Sequence, residues 1–275
     1  MIKKVIQISD IHVPNYQRHD EYNEVLNNLV HACQEECNGY DSSEVRIVLC
    51  GDVVHQKNTV SNELNMLTSS FIRSLESLCK VIVIMGNHDL LLNNSSRADT
   101  LTALFETAKF GNSILLDMEL GYQSGVYEDD NIKWALYSIC DGYSNPFPKG
   151  FRKTKSAKVI GLFHGQLVGA TNFNGMVYED GTSIDEFDKC DAVMAGHIHK
   201  RQVIPMPNGN DFVYSGSLVQ RDEGESVLEH GYAVWNIDTM EHKFVDITSS
   251  YGIYKIEVND LEDLDNDLEI IDNLI

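Results

Sequence analysis

Five short runs of apolar, mostly β-branched residues break off abruptly into polar ones, and this pattern constrains the fold more than any other feature of the chain. The runs are Lys4–Ser9, Val45–Cys50, Val81–Met85, Val159–Phe163 and Ala192–Ala195. Near-continuous apolar runs of this length predict strands buried on both faces. Helical spacing lies between several of them. Glu21–Cys37 places Val25, Leu26, Leu29, Val30 and Cys33 on one face, and Ser61–Leu78 does the same with Leu64, Leu67, Phe71, Leu75 and Leu78. Thr100–Lys109 is a shorter third helix candidate. Strand alternating with helix predicts a layered α/β core. Residues 113–138 and 202–258 read instead as paired strands separated by turns. Gln202–Pro205 and Phe212–Ser215 flank the hairpin signal PNGND at 207–211, and Tyr232–Ile237 and Lys243–Ile247 follow.

Composition removes several classes. The 275 residues are 43% hydrophobic, which excludes a disordered chain. No apolar run approaches the ~20 residues needed to cross a bilayer. The opening MIKKVIQISD runs straight into charge and reads as a first strand rather than a signal peptide. The six cysteines form no CxxC pair and sit in or beside apolar runs, so they read as reduced, buried thiols. The expected compartment is the cytoplasm, or a host cytoplasm if the gene is viral. The formal net charge is −21, and residues 259–275 contribute seven acids and no base to it. An acidic surface repels nucleic acid unless bases cluster locally.

The polar residues that end the five runs carry the chemistry. They are Ser9-Asp10-Ile11-His12, Gly51-Asp52-Val53-Val54-His55, Gly86-Asn87-His88-Asp89, His164-Gly165 and Gly196-His197-Ile198-His199. In open α/β sheets, ligands bind at the carboxyl ends of strands. A lone histidine after a strand is more often a hydrogen-bonded structural residue than a ligand. Here six of ten histidines lie at five successive strand ends beside carboxylates and an amide. Asp, Asn and His donors without Cys suit divalent ions such as manganese, iron or zinc. Asp10 and His12 alternate along an extended segment and so can grip one ion. His197 and His199 can do likewise, unless a turn aims them at different ions. Asp52 is the natural bridge between two ions, and Gly51, Gly86 and Gly196 would permit the unusual φ values of tight turns. Two ions ~3.5–4 Å apart can activate a bridging hydroxide and clamp a phosphate for in-line attack.

The ordered set DxH, GDxx, GNH[DE], H and GHxH resembles the calcineurin-like metallophosphoesterase superfamily over about residues 3–248. The resemblance implies a four-layer α/β/β/α sandwich, two mixed sheets flanked by helices, around a dinuclear centre. It implies that one ion is held by Asp10, His12, Asp52 and His199, and the other by Asp52, Asn87, His164 and His197. His88 resembles the histidine that approaches the phosphate and assists departure of the 3′ oxygen. His55 stands where many phosphatases of this superfamily carry Asp. In that respect the chain is similar to SbcD-type DNA exonucleases and the meiotic-recombination nucleases of double-strand-break repair, and His55 would orient His88. Arg18-His19-Asp20-Glu21-Tyr22, Tyr214-Ser215-Gly216-Ser217, Gln220-Arg221 and His230-Gly231-Tyr232 resemble further segments of those nucleases.

The implied activity is a DNA exonuclease and single-strand endonuclease for end processing, recombination, repair or replication. The resemblance implies two divalent ions, Mn²⁺ foremost with Mg²⁺, Fe²⁺ or Zn²⁺ as other candidates. It also implies DNA as substrate, an SbcC-type SMC-like ATPase as partner, a homodimer pairing through the Ser61–Leu78 helix, and no membrane association. Arg18, Lys57, Arg97, Lys200 and Arg201 are the candidate DNA contacts near the site, with a further basic run from Lys149 to Lys158 before His164. Residues 1–250 form the expected nuclease domain, and 251–275 an acidic tail or the start of a capping domain. The competing readings are a phosphomonoesterase or small-substrate phosphodiesterase with the same metals, and a scaffold without catalysis, which would be expected to have lost ligands.

Overall fold

Twelve strands build two six-stranded mixed sheets in the computed structural model, which describes residues 1–57, 59–91 and 98–255. The elements are β1 (Lys4–Ile8), α1 (His19–Cys37), β2 (Val45–Cys50), α2 (Asn62–Glu76), β3 (Lys80–Ile84), α3 (Thr100–Ala108), β4 (Ser113–Leu115), α4 (Leu116–Glu119), β5 (Gly125–Asp129) and β6 (Ile132–Tyr137). They continue with β7 (Lys158–His164), β8 (Ala192–Gly196), β9 (Gln202–Pro205), β10 (Asp211–Tyr214), β11 (Gly231–Asn236) and β12 (His242–Asp246). Arg97 and residues 256–275 lie outside the described residues. Among those described, no helix is long and apolar enough to cross a membrane.

The first sheet has the order β12-β11-β1-β2-β3-β4, with β1 to β4 parallel and β11 antiparallel to β1. The second has the order β5-β6-β7-β8-β10-β9, with β6, β7, β8 and β10 parallel. The five site-bearing runs therefore divide between two sheets, three in one and two in the other. Their carboxyl ends meet because the sheets stack face to face.

Alternation along each strand explains the layers. Val5, Val48, Ile82 and Ile84 point inward to meet Trp134, Leu136, Ile160, Leu162 and Met194 of the second sheet. Ile6, Ile8, Ile47, Leu49, Val81 and Val83 point outward onto α1, α2 and α3. Each such aliphatic side chain, fully buried, contributes about 1.5–3 kcal/mol. The outer face of the second sheet, with Tyr137, Phe163, Phe212 and Tyr214, is covered by loops and the 3₁₀ turn that holds Phe187 rather than by long helices.

Polar ties fix the two sheets against each other. Gln7 is fully buried; its amide donates to Ala195 O and Val213 O at 3.1 and 2.9 Å and accepts from Trp235 Nε1 at 2.9 Å. At the far end, Arg46 of β2 forms a buried bidentate pair with Asp129 of β5 at 2.8 and 3.0 Å. The apolar face of α2 is used within the chain: Leu64, Phe71, Ile72 and Leu75 are buried, and Leu67 and Leu78 pack on the same core. Met66 is the apolar residue of this face left exposed, at 73%.

Candidate metal centre

The segments that follow β1 and β2 keep hydrogen-bonding to each other beyond the strands. Asp10 N donates to Gly51 O, His12 N to Asp52 O and Val13 N to Val53 O, at 3.2, 2.9 and 2.9 Å. This pairing delivers Asp10, His12 and Asp52 to one place. Their backbone is not extended, as the DxH spacing suggests. Asp10, His12, Asp52 and His197 all have positive φ, at 50, 55, 51 and 98°. Left-handed conformations are disfavoured for non-glycine residues, by roughly 1 kcal/mol or more each, and cluster at functional sites.

Two donor clusters result. Asp10, His12 and His199 bring ligand atoms within 4.8 Å of one another, as do Asp52, His164 and His197. In the first, His12 Nε2 lies 3.0 Å from His199 Nε2 and 3.9 Å from Asp10 Oδ1. In the second, Asn87 Oδ1 lies 2.8 Å from His197 Nδ1 and 3.3 Å from His164 Nε2. Asp52 Oδ2 stands between them, 3.5 Å from His12 Nε2 and 3.3 Å from His164 Nε2. The turn after β8 thus sends His197 and His199 to different clusters.

The donor set fits divalent ions. Donor–donor separations of ~3.0–3.5 Å are the edges of a shell with bonds of ~2.0–2.2 Å. Two imidazole nitrogens facing each other at 3.0 Å can share at most one proton, whereas a cation satisfies both lone pairs. Burial lowers the basicity of His12 and His197, favouring the neutral, ligating ring. Burial alone would raise the Asp52 carboxyl, but His164, His12 and the backbone N–H of His88 outweigh it and keep the group ionised.

Two glycines set the close approach. A Cβ at Gly86 would lie 2.1 Å from Asp52 Oδ1, and one at Gly51 would lie 2.3 Å from His164 Nδ1. Gly51 does adopt a positive φ of 84°, whereas Gly86 is required for space.

A model of the family described as calcineurin-like phosphoesterase matches residues 3–201. The chain belongs to this family. It is 31% identical over 268 residues to uncharacterized protein R555 of Acanthamoeba polyphaga mimivirus, an alignment covering 94% of this chain and 19% of that protein's length. Among solved structures it is similar to a dimetal phosphatase from Danio rerio, with 12% identity, 86% of this chain and 93% of that one covered, and a TM-score of 0.48. A cold-active protein-tyrosine phosphatase of a psychrophilic Shewanella matches at 12% identity over 78% of this chain and 80% of that one, with a TM-score of 0.27. The matched region, residues 3–201, contains all seven donors of the two clusters together with His55 and His88.

Around these clusters, the structure adds residues to which the sequence reading gave no role. Glu225 Oε1 accepts from His199 Nδ1 at 2.5 Å, which turns Nε2 toward the cluster. Its other oxygen accepts from Arg221 N at 2.9 Å. The buried Asp89 accepts from Gly86 N, Val54 N and Val53 N at 2.8, 3.0 and 3.4 Å, tying the GNHD turn to the loop after β2. Tyr143 OH donates to His164 O at 2.9 Å, and His164 Nδ1 donates to Cys50 O at 2.7 Å, leaving Nε2 for the site.

His88 and His55 stand beside the clusters, with rings stacked at 5.0 Å and 16°. The expectation that His55 orients His88 is met through the main chain. His88 Nδ1 donates to the main-chain carbonyl of His55 at 3.0 Å, so the backbone rather than the imidazole of His55 orients it. His55 Nδ1 instead faces Arg221 Nη2 at 3.1 Å.

Among the described candidate DNA contacts, the two arginines are paired with carboxylates. Arg18 is held by both oxygens of Glu21 at 2.6 Å and by Gln220 O at 2.7 Å. Arg201 pairs with Asp246 at 2.5 Å and lies over the Phe244 ring. Lys200 Nζ reaches Thr171 Oγ1 at 3.3 Å, and Lys57 is half-buried. The basic run reaches β7 at Lys158, the end of the strand opposite to His164. At ~3.3 Å per residue, that puts the length of β7, roughly 20 Å, between them.

Proposed function

We propose that this phosphoesterase is a dinuclear, metal-dependent DNA phosphodiesterase of the SbcD type, acting as exonuclease and single-strand endonuclease. Mn²⁺ is its foremost ion, and an SMC-like ATPase of the SbcC type is its partner in DNA end processing. The observation that carries this reading is His55. The position three residues after Asp52 holds an imidazole stacked on His88, where many phosphatases of the superfamily carry a carboxylate. A carboxylate there would hold His88 cationic, which suits a dianionic monoester. A neutral imidazole leaves His88 free to exchange a proton.

Two divalent ions, when bound, would activate the attacking water and offset phosphate charge. Asp10, His12, Asp52 and His199 would hold one, and Asp52, Asn87, His164 and His197 the other. The chain's own residues supply the rest. Asp52 Oδ1 accepts from His88 N at 2.7 Å, which fixes the His88 backbone against the bridging carboxylate. With Nδ1 bound to His55 O, the remaining His88 nitrogen is the one available to protonate the leaving sugar oxygen.

The second reading, a phosphomonoesterase or small-substrate phosphodiesterase, is favoured by charge. Arg18 and Arg201 are committed to Glu21 and Asp246, and the formal net charge is −21. Manganese-reconstituted protein assayed on duplex ends, single-stranded circles, bis-nitrophenyl phosphate and nitrophenyl phosphate separates the two. Cleavage of DNA and the diester above the monoester is the expected result. Brisk monoesterase activity with none on DNA would transfer the assignment to the second reading.

A further inference from the structure

His12, His55 and His88 also bring ring nitrogens within 4.8 Å of one another, which by spacing alone would pass for a third cation site. Arg221 argues against it. Its guanidinium reaches Tyr22 OH at 2.7 Å, His12 O at 3.3 Å and His55 Nδ1 at 3.1 Å. Guanidinium donates and never accepts. His55 Nδ1 must therefore be the acceptor, and the neutral ring carries its proton on Nε2. That ring has no lone pair left for a metal and stands beside a fixed positive charge. It is built to donate to an anion.

We propose that Arg221 is a positioning residue that locks His55 as its neutral Nε2–H tautomer, making His55 itself a hydrogen-bond donor to a phosphoryl oxygen of the substrate beside His88. This rests on the reading of the site as one for phosphodiester hydrolysis. The fixed tautomer divides the labour of the stacked pair: His55 holds the phosphate and His88 moves the proton. The anchor is itself braced. Arg221 N donates to Glu225, which also holds His199, and Arg18 donates to Gln220 O and Arg221 O at 2.7 and 3.5 Å. One loop thus fastens a candidate metal ligand and the His55 tautomer together. Without the brace, a neutral imidazole would exchange tautomers and present a lone pair to the substrate oxygen part of the time.

The test is ¹⁵N NMR of histidine-labelled, zinc-loaded protein, which distinguishes a protonated from an unprotonated ring nitrogen. Wild type and Arg221→Lys, which keeps a donor, should show His55 protonated at Nε2. Arg221→Met, similar in size but without a donor, should shift His55 toward the Nδ1–H form. In parallel, turnover of bis-nitrophenyl phosphate should fall about 10–100-fold in Arg221→Met and comparably in His55→Phe. The double variant should lose little more than either single one, because residues acting as a unit are non-additive. A wild-type His55 protonated at Nδ1, a tautomer unmoved by Arg221→Met, or losses that multiply would overturn the proposal. Wild-type protein that hydrolyses no diester would instead overturn the functional reading, and the tautomer measurement would still decide the role of Arg221.

Discussion

Glu225→Gln isolates one metal site from the other. The Glu225 carboxylate is 9% exposed and takes three hydrogen bonds, from His199 Nδ1 at 2.5 Å, Arg221 N at 2.9 Å and Ser217 Oγ at 3.4 Å. Burial alone would raise its pKa, but the bond from His199 and that ring's charge outweigh this and keep the group ionised. A glutamine keeps the shape, loses the charge and presents an N–H₂ either to His199 Nδ1 or to Arg221 N and Ser217 Oγ. A charge-assisted hydrogen bond is worth about 1.5–3 kcal/mol net. At about 1.4 kcal/mol per factor of ten, that weakens the ion held through His199 by roughly 10–100-fold. Losses of a ligand's outer partner fall in the same range. The ion at Asp52, Asn87, His164 and His197 makes no contact with Glu225 and should bind as before. Calorimetric titration of manganese into metal-free protein reads both sites at once. Two affinities that fall together, or neither falling, would refute the reasoning.

Four further outcomes are expected. Gly86→Ala places a Cβ 2.1 Å from Asp52 Oδ1 and 2.3 Å from Asp52 N, so elemental analysis should find fewer than one ion per chain, and two retained ions would contradict the packing. His88→Asn should keep both ions yet lose about 10²–10⁴-fold in turnover, as for a missing general acid; a variant that loses its ions would move His88 into the coordination shell. Asp129→Asn breaks the buried pair with Arg46 and should cost about 3–5 kcal/mol in denaturant unfolding at neutral pH. Burial raises the Asp129 carboxyl, but its bond to Arg46 and the charges of Arg46 and Lys80 outweigh that and depress it. The stability it gives is therefore full above the unfolded pKa of about 3.9 and is lost as pH falls through the lower folded value. The gap between wild type and variant should narrow only in that acid range; a gap that widens on acidification would show the sign to be wrong. Ion removal by chelation should lower the melting temperature, since ions that bind only the folded state stabilise it by mass action; an unchanged melting temperature would argue that the clusters bind no ion.

How much of this was legible in the sequence follows from what each residue's role depends on. Strands such as Val45–Cys50 were readable because they are buried on both faces and so are continuously apolar. The donors at their ends were readable because strand ends are fixed by the strands themselves. The division of those strands between two sheets did not show in the runs, which look alike wherever they pair; it was implied only by the resemblance. Glu225 and Arg221 were illegible as site residues. They sit in a polar loop with no periodicity, and their partners His199 and His55 are 26 and 166 residues away. The route by which His55 steadies His88 was not legible, because it runs through the backbone carbonyl, which residue type does not show. The surroundings of Arg18 and Arg201 were hidden for a related reason. A sequence counts their charges but does not show Glu21 and Asp246 neutralising them.

The backbone at the site connects these observations. Asp10, His12, Asp52 and His197 hold left-handed conformations that glycine would adopt without strain, yet each carries a donor side chain of the two clusters. The true glycines, Gly51 and Gly86, stand next to those residues and give up their own Cβ so that a neighbouring donor can approach. Gly51 and Asp52 share the turn after β2, whereas Asp10 and His12 follow β1, Gly86 follows β3 and His197 follows β8. Folding must hold both kinds of residue against their preferences, and the means are on either side of the centre. Asp89 staples the turns after β2 and β3 through three backbone N–H groups, and the fully buried Gln7 ties the two sheets just below. The apolar layer between the sheets supplies the stability that such a site consumes. It reaches the site at Cys50, whose carbonyl accepts from His164 Nδ1 at 2.7 Å, so the packing that stabilises the fold also holds a donor in place.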